Sequence, residues 1–545
     1  MPDVTADGLI VVQVDGMSRH ALEAFIAAGW MPVVGALLAS GDLRLHDWTP
    51  LLPPVTPASQ AGILFGHNDG IPGFRWFEKP TGRLLVANHP EDAAEIERRL
   101  SNDTGLLAGV GVSVGNLLAG DAPSSHLTMA TMETGRQLRR PGSGYPVDPR
   151  AWLRIGAGIA LELVDELAGA YMQRRDDVRP RMRRGWRFVG ERIVTNVPLR
   201  VLSTSMVIHE VKQGSRLIYV DYTGYDATSH HTGPERRDTF GAAEKIDLSI
   251  GHILDAARLG PRRYHVVILS DHGQSLGTPF RQLYGITLVQ LVAAQMGEGT
   301  TFDDAPGASE YSGGFRRIRR HVLGDRIASG IEGLLGHRPG RGRPSLSRIV
   351  DGHGAPLAGS ADAQIGDVVV CASGNLGLIY LTAIPGRMTR EAIDDRYPGL
   401  IGALVGHPGI GLLVLWSREG VVAIGRAGTN LLDEDRVVGV DPIARYGPTA
   451  VDGLRRISGF EHSGDIIAFG SYDPTTDQVV SFEELVGSHG GLGGHQDDAF
   501  IAYPGDWALA DEPLIGAPAI HRQLRRWLTD LSPDDRRSRE PDETA

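Results

Sequence analysis

Three short apolar runs in this chain each terminate in aspartate: "GLIVVQVDG" at Asp15, "RLIYVDYTGYD" at Asp221 and Asp226, and "YHVVILSDHG" at Asp271. Continuous β-branched runs of this length read as strands buried on both faces, as in a parallel sheet covered by helices. Helical patterns lie between them, including "SRHALEAFIAAG", "EDAAEIERRL" and "TFGAAEKIDLSIGHILDAAR". The alternation predicts an α/β fold, a doubly wound sandwich with a mostly parallel central sheet. In such sheets ligands collect beyond the carboxyl ends of the strands, so acids carried there by different strands converge.

A chain of 545 residues has room for one large α/β domain with an insert. The interval from His272 to His489 is far too long for a loop and predicts an inserted α/β cap subdomain. The reading is a core α/β domain over 1–300, the cap over 301–480, a return of the core over 481–530, and a charged, disordered tail over 531–545.

Composition excludes several classes. A net charge of −12 repels polyanions, so nucleic acid is not expected as a stable partner and an anionic substrate needs a local positive centre. The single cysteine, Cys371, excludes an intrachain disulfide and a cysteine-based zinc cluster, and fits a reducing compartment. The first residues, "MPDVTADGLIVVQVDG", carry acids where an export signal carries bases, so the expected location is cytoplasmic. The most apolar long stretch, "IGAGIALELVDELAGAYM", holds Glu162, Asp165 and Glu166 and reads as an amphipathic helix, so no transmembrane segment is expected. The arginine-rich stretches Gln173 to Phe188 and Phe315 to Arg326 read as solvated faces paired with acids, in preference to a peripheral membrane contact.

Asp226 and His230, in a segment read as a loop, stand four residues apart, and Asp271 and His272 are adjacent. Carboxylate oxygen and imidazole nitrogen are ligands suited to zinc or manganese. In "PPVTPASQAGILFG", Pro57 fits the first position of a helix, which makes Thr56 the expected N-cap at a terminus that faces anions. Late in the chain, "GSHGGLGGH" offers His489 and His495.

In that order, "VDG", "PPVTPASQAGILFG", "DATSHHTGP", "SDHG" and "SHGG" resemble the motifs of the alkaline phosphatase superfamily, within it the type I phosphodiesterase and nucleotide pyrophosphatase branch, together with phosphonoacetate hydrolase. The resemblance implies two divalent ions, zinc with manganese as the alternative. Asp226, His230 and His489 would hold one, and Asp15, Asp271 and His272 the other, with Thr56 bridging toward it as nucleophile. The "HGG" match selects His489 over His495, and the spacing before "GP" selects His230 over His231. Three aspartates against two divalent ions leave such a site positive before a phosphate arrives. The implied enzyme is a phosphoric ester hydrolase, phosphodiesterase-like or nucleotide pyrophosphatase-like, acting on a small phosphorylated substrate through a phospho-threonine. The same scaffold admits phosphonate or phosphomonoester hydrolysis, and a different class of reading is a noncatalytic phosphate-binding module. Where many relatives place asparagines, this chain reads "TPAS" and "GIPGFRWF", which leaves Asn68, Arg75 and His495 as candidates for substrate contact. Asp221, ahead of the matched pair, is expected to cap its strand.

Overall fold

The three aspartate-terminated runs are adjacent strands at the centre of one sheet. Gly8–Val14 pairs in parallel with Leu217–Tyr222 on one side and Tyr264–Leu269 on the other, with Val12 opposite Val220 and Ile268. The computed structural model describes residues 6–132, 149–182, 195–297, 300–304, 366–510 and 513–531. The seven strands run in the order Leu43–Trp48, Ala499–Pro504, Tyr264–Leu269, Gly8–Val14, Leu217–Tyr222, Gly111–Val114, Ser124–His126. Ala499–Pro504 alone among them runs antiparallel to both its neighbours.

The lack of alternation in the first run has a direct cause. Leu9 and Val11 enter one core, with helices Thr56–Phe65 and Ala517–Asp530, whereas Ile10, Val12 and Val14 enter a second, with helices Arg19–Ala27, Arg200–Gln213 and Arg237–Arg258. Both faces of the strand are covered, and each such side chain contributes about 1.5–3 kcal/mol of burial.

A second sheet of eight strands follows. Its order is Phe302–Asp304, Val368–Ser373, Leu376–Leu381, Ile466–Gly470, Ile410–Ser417, Gly420–Gly425, Gly428–Leu431, Arg436–Gly439, antiparallel after a parallel first pair. One face packs on helices Leu288–Met296, Arg390–Arg396 and Leu400–Gly406. The other places Cys371, Leu378 and Phe469 in the same cluster as Phe74 and Trp76, so this sheet and the central domain share a core. A small sheet, in which Ser275–Pro279 lies between Gln478–Ser481 and Gly487–Ser488, ties the chain just after His272 to the chain just before His489.

Two local expectations change. The segment read as a loop after Leu217–Tyr222 is a helix, Gly224–Thr232, which places Asp226 and His230 on one face a turn apart. Helix Pro149–Arg175 is amphipathic in the reverse sense: Glu162 and Glu166 are 0% and 1% exposed, while Leu161, Val164, Leu167 and Tyr171 are 53–66% exposed. Glu162 is compensated inside by Lys245 Nζ at 2.5 Å and Asn196 Nδ2 at 2.9 Å. Among the described residues no single helix is long and apolar enough to cross a membrane. Arg175, Arg179 and Arg181 pair with Asp176 or Asp177. Phe315 to Arg326 and residues 532–545 lie outside the described residues.

Candidate metal centre

Asp15 directly follows the central strand Gly8–Val14, Asp271 follows its neighbour Tyr264–Leu269 by two residues, and helix Gly224–Thr232 delivers Asp226 and His230 from the neighbour on the other side, Leu217–Tyr222. His230 Nε2 lies 3.1 Å from Asp226 Oδ2. His272 Nε2 lies 3.3 Å from Asp271 Oδ2 and 3.7 Å from Asp15 Oδ1. His489 arrives from the far end of the chain, its Nε2 3.3 Å from His230 Nε2 and 3.8 Å from Asp226 Oδ1, its ring stacked on His272. All six are buried. They form two overlapping sets, Asp15 with Asp271 and His272, and Asp226 with His272 and His489, in each of which one donor atom per residue lies within 4.8 Å of the others. The approach of Asp226 to the first strand requires Gly16: its φ is +69°, and a Cβ there would lie 2.1 Å from Asp226 Oδ1.

The hydrogen bonds on the outer side of each ring define its tautomer. His230 Nδ1 is 2.8 Å from Gly487 O, His489 Nδ1 3.0 Å from Pro54 O, and His272 Nδ1 3.1 Å from Gly273 O. A carbonyl only accepts, so each Nδ1 carries hydrogen and each ring turns its Nε2 toward the carboxylates. The Nε2 atoms of His230 and His489 face each other across 3.3 Å, two imidazole nitrogens placed to share one cation. Asp271 Oδ2 accepts no hydrogen bond although it is fully buried. Burial pushes the Asp271 carboxyl up to about 7, with Asp226 adding to the effect. Burial opposes ionisation of Asp226 as well, but His230, and then His489 and His272, hold it below the usual carboxylate range. This donor set fits divalent cations: imidazoles oriented by outer hydrogen bonds, and carboxylates crowded without solvent.

Thr56 is the first residue of helix Thr56–Phe65 rather than its N-cap; Val55, with φ −132° and ψ 148°, takes that position. The hydroxyl is therefore not used in capping. It donates to Asp15 Oδ1 at 3.3 Å and lies 3.2 Å from His272 Nε2.

The remaining candidates have other partners. Asn68 Nδ2 donates to Ala58 O at 2.8 Å and its Oδ1 accepts from Arg456. Arg75 forms a buried ion pair with Glu483 at 2.9 Å, and Glu483 accepts from Gly374 N at 2.7 Å. His495 stands at the rim, stacked on His20 and set between Asp477 and Asp498 at 3.2 and 3.3 Å. His231 turns its Nδ1 to Ala227 O. Asp221 lies within its strand rather than capping it, bound by Gln60 Nε2 at 2.8 Å, and burial, then Asp271 and Asp226, raise its carboxyl well above the usual range. Sequence reasoning passed over Gln274, whose buried amide donates to Asp226 Oδ1; the available signal was a polar residue directly after "DHG".

Among solved structures, phosphonoacetate hydrolase from Sinorhizobium meliloti 1021 in complex with phosphonoformate is similar at 14% identity, over 96% of each chain, with a TM-score of 0.44. Murine ectonucleotide pyrophosphatase / phosphodiesterase 5 is similar at 10% identity, over 96% of this chain and 95% of that one, with a TM-score of 0.45. A variant of the alkaline phosphatase PafA is similar at 11% identity, over 94% of each chain, with a TM-score of 0.50, a likeness of fold. No curated protein matches the sequence. The model of the type I phosphodiesterase / nucleotide pyrophosphatase family matches residues 9–306, more than half of the chain and the part that carries Asp15, Thr56, Asp226, His230, Asp271 and His272, and the chain belongs to this family of the alkaline phosphatase superfamily.

Proposed function

We propose that the protein is a two-metal phosphodiesterase, of the nucleotide pyrophosphatase kind, that works through a phospho-threonine at Thr56. The observation that carries this reading is the position of Thr56 Oγ1, 3.3 Å from Asp15 Oδ1 and 3.2 Å from His272 Nε2, on the edge of a buried set of metal-ligand types. Asp226, His230 and His489 would hold one ion and Asp15, Asp271 and His272 the other. Divalent ions bound there, zinc or manganese by ligand type, supply positive charge and Lewis acidity to an anionic ester.

The chain's own groups do the rest. Asp15 Oδ1 accepts the Thr56 hydroxyl hydrogen and so orients the oxygen lone pairs. The Thr56 oxygen attacks phosphorus as its proton passes toward Asp15 Oδ1, and the ester oxygen takes up a proton and leaves as the departing alcohol. Water then cleaves the threonine–phosphorus bond, giving hydroxyl to phosphorus and its other proton to the threonine oxygen. The N-terminus of helix Thr56–Phe65 presents its positive end to the phosphoryl oxygens.

The test is a substrate panel on chelator-stripped protein reloaded with zinc or manganese: a chromogenic phosphodiester, a phosphomonoester and phosphonoacetate. Diester turnover that needs the metal, disappears in Thr56→Ala and accompanies phosphate trapped on Thr56 supports the proposal. Preference for phosphonoacetate or the monoester moves the substrate class. No turnover on any of the three, with two ions bound, overturns the enzyme in favour of a phosphate-binding module.

A further inference from the structure

Gln274 follows Asp271, His272 and Gly273 in sequence, yet its side chain, 1% exposed, crosses to the other half of the centre. Its Nε2 donates to Asp226 Oδ1, and to Asp226 O at 3.3 Å, while its Oε1 accepts from Ser229 Oγ at 2.6 Å. The amide has one workable orientation, because the flipped form would set Oε1 against the Asp226 carboxylate, acceptor on acceptor. Ser229 belongs to the same helix as Asp226 and His230, one residue before the histidine. Gly487 makes the space: a Cβ there would lie 2.1 Å from Gln274 Oε1, and the carbonyl of that same glycine orients His230.

We infer that Gln274 is a positioning residue for the centre, a neutral donor that holds Asp226 Oδ1 so that Oδ2 is presented beside His230. The inference rests on the two-metal reading. An amide meets the requirement with both of its ends, donating to Asp226 through Nε2 and accepting from Ser229 through Oε1. A lysine or arginine would bring a charge that competes with a divalent ion, a carboxylate would repel Asp226, and an apolar side chain would leave Oδ1 without this donor. Gln274 thus joins the "DHG" segment of one half-site to the aspartate of the other.

The experiment titrates chelator-stripped protein with zinc, in competition with a chromophoric chelator, for wild type, Gln274→Met and Ser229→Ala, and follows the melting of each metal-free protein. The expected result is that Gln274→Met weakens one of the two binding steps by about 10–100-fold, leaves the other within a few-fold, and keeps metal-free melting near that of wild type; Ser229→Ala has a smaller effect on the same step. Two wild-type steps in both variants overturn the inference, as do equal losses in both steps that track a fall in metal-free melting. Should Gln274→Met fail to fold, Ser229→Ala decides by the same criterion. Wild-type protein that binds no zinc overturns the two-metal reading and this inference together, which separates that failure from one confined to Gln274.

Discussion

Arg456 donates to Asn68 Oδ1 across the boundary between the second sheet and the central domain. Arg456 sits on helix Ala450–Gly459, its Nη1 donates to Leu52 O at 2.9 Å, and its guanidinium lies 4.8 Å from the Phe460 ring centroid. Asn68 passes the contact on to Ala58 O. One cation thus grips the chain on both sides of Thr56, which gives Asn68 a structural task in place of the substrate contact considered for it.

Replacing that cation tests the clamp. Arg456→Lys keeps the charge but not the fork that reaches Leu52 and Asn68 together. The expected loss is about 2–3 kcal/mol of unfolding free energy, measured by denaturant titration, with kcat for the best diester reduced more than KM. Unchanged stability and unchanged kcat would remove the clamp from the account.

Gly374, with φ +57°, occupies the hairpin between Val368–Ser373 and Leu376–Leu381, and a Cβ there would lie 1.9 Å from His489 O. Backbone cannot give way at that distance without carrying the histidine with it. Gly374→Ala is expected to lower stability by about 2 kcal/mol or more and to reduce bound metal, read by elemental analysis per chain. Gly386→Ala is the control, since nothing lies within 4 Å of the added carbon.

The strands and the order of the centre's residues were legible because the cause is local. Val11 and Val12 feed opposite cores, so the run had to be apolar throughout, while the step from Asp226 to His230 was read in a loop and the structure sets it on one helix face. The orientation of helix Pro149–Arg175 was not legible. Its periodicity is the same whichever face turns inward, and the partners that admit Glu162, Asn196 and Lys245, lie far along the chain. Thr56 was displaced by one residue from the expected cap because the backbone of Val55, not a side-chain preference, ends the extended segment. Gln274 and Arg456 have hydrogen-bond partners between 45 and 404 residues away, which no window of sequence displays.

His495 carries a pH signature of its own. Its hydrogen bond with Asp498 raises the ring above the ordinary 6.5 against the cost of burial, and Asp477 and Glu235 add to the rise; His20, itself beside Glu235, stacks on the ring. A base raised in the folded state stabilises the fold fully below pH 6.5, and that contribution is lost as pH climbs through the higher folded value. The melting gap between wild type and His495→Gln should therefore be wider at pH 6 than at pH 9. A gap independent of pH would show that the ring is not charged in this cluster.

Asp271 predicts a slope of the same sign, in a lower pH window, in metal-free protein. Burial raises its carboxyl from 3.8 to about 7, so between those values the unfolded chain has released a proton that the native chain retains. Stability from this group falls as pH rises through that window, and the loss is complete above it. Asparagine has no proton to release, keeps an oxygen for the Gly16 N–H now 3.1 Å from Asp271 Oδ1, and places its amide hydrogens toward His272 Nε2, 3.3 Å from Oδ2. Chelator-stripped Asp271→Asn should melt close to stripped wild type at pH 4 and above it at pH 8. With zinc restored the order should reverse, because wild type gains the free energy of two bound ions and the variant has lost a ligand. Stripped Asp271→Asn melting below stripped wild type at pH 8 would mean that the ionised carboxylate is stabilised in the empty centre, and the case for crowded carboxylates awaiting a cation would fail with it.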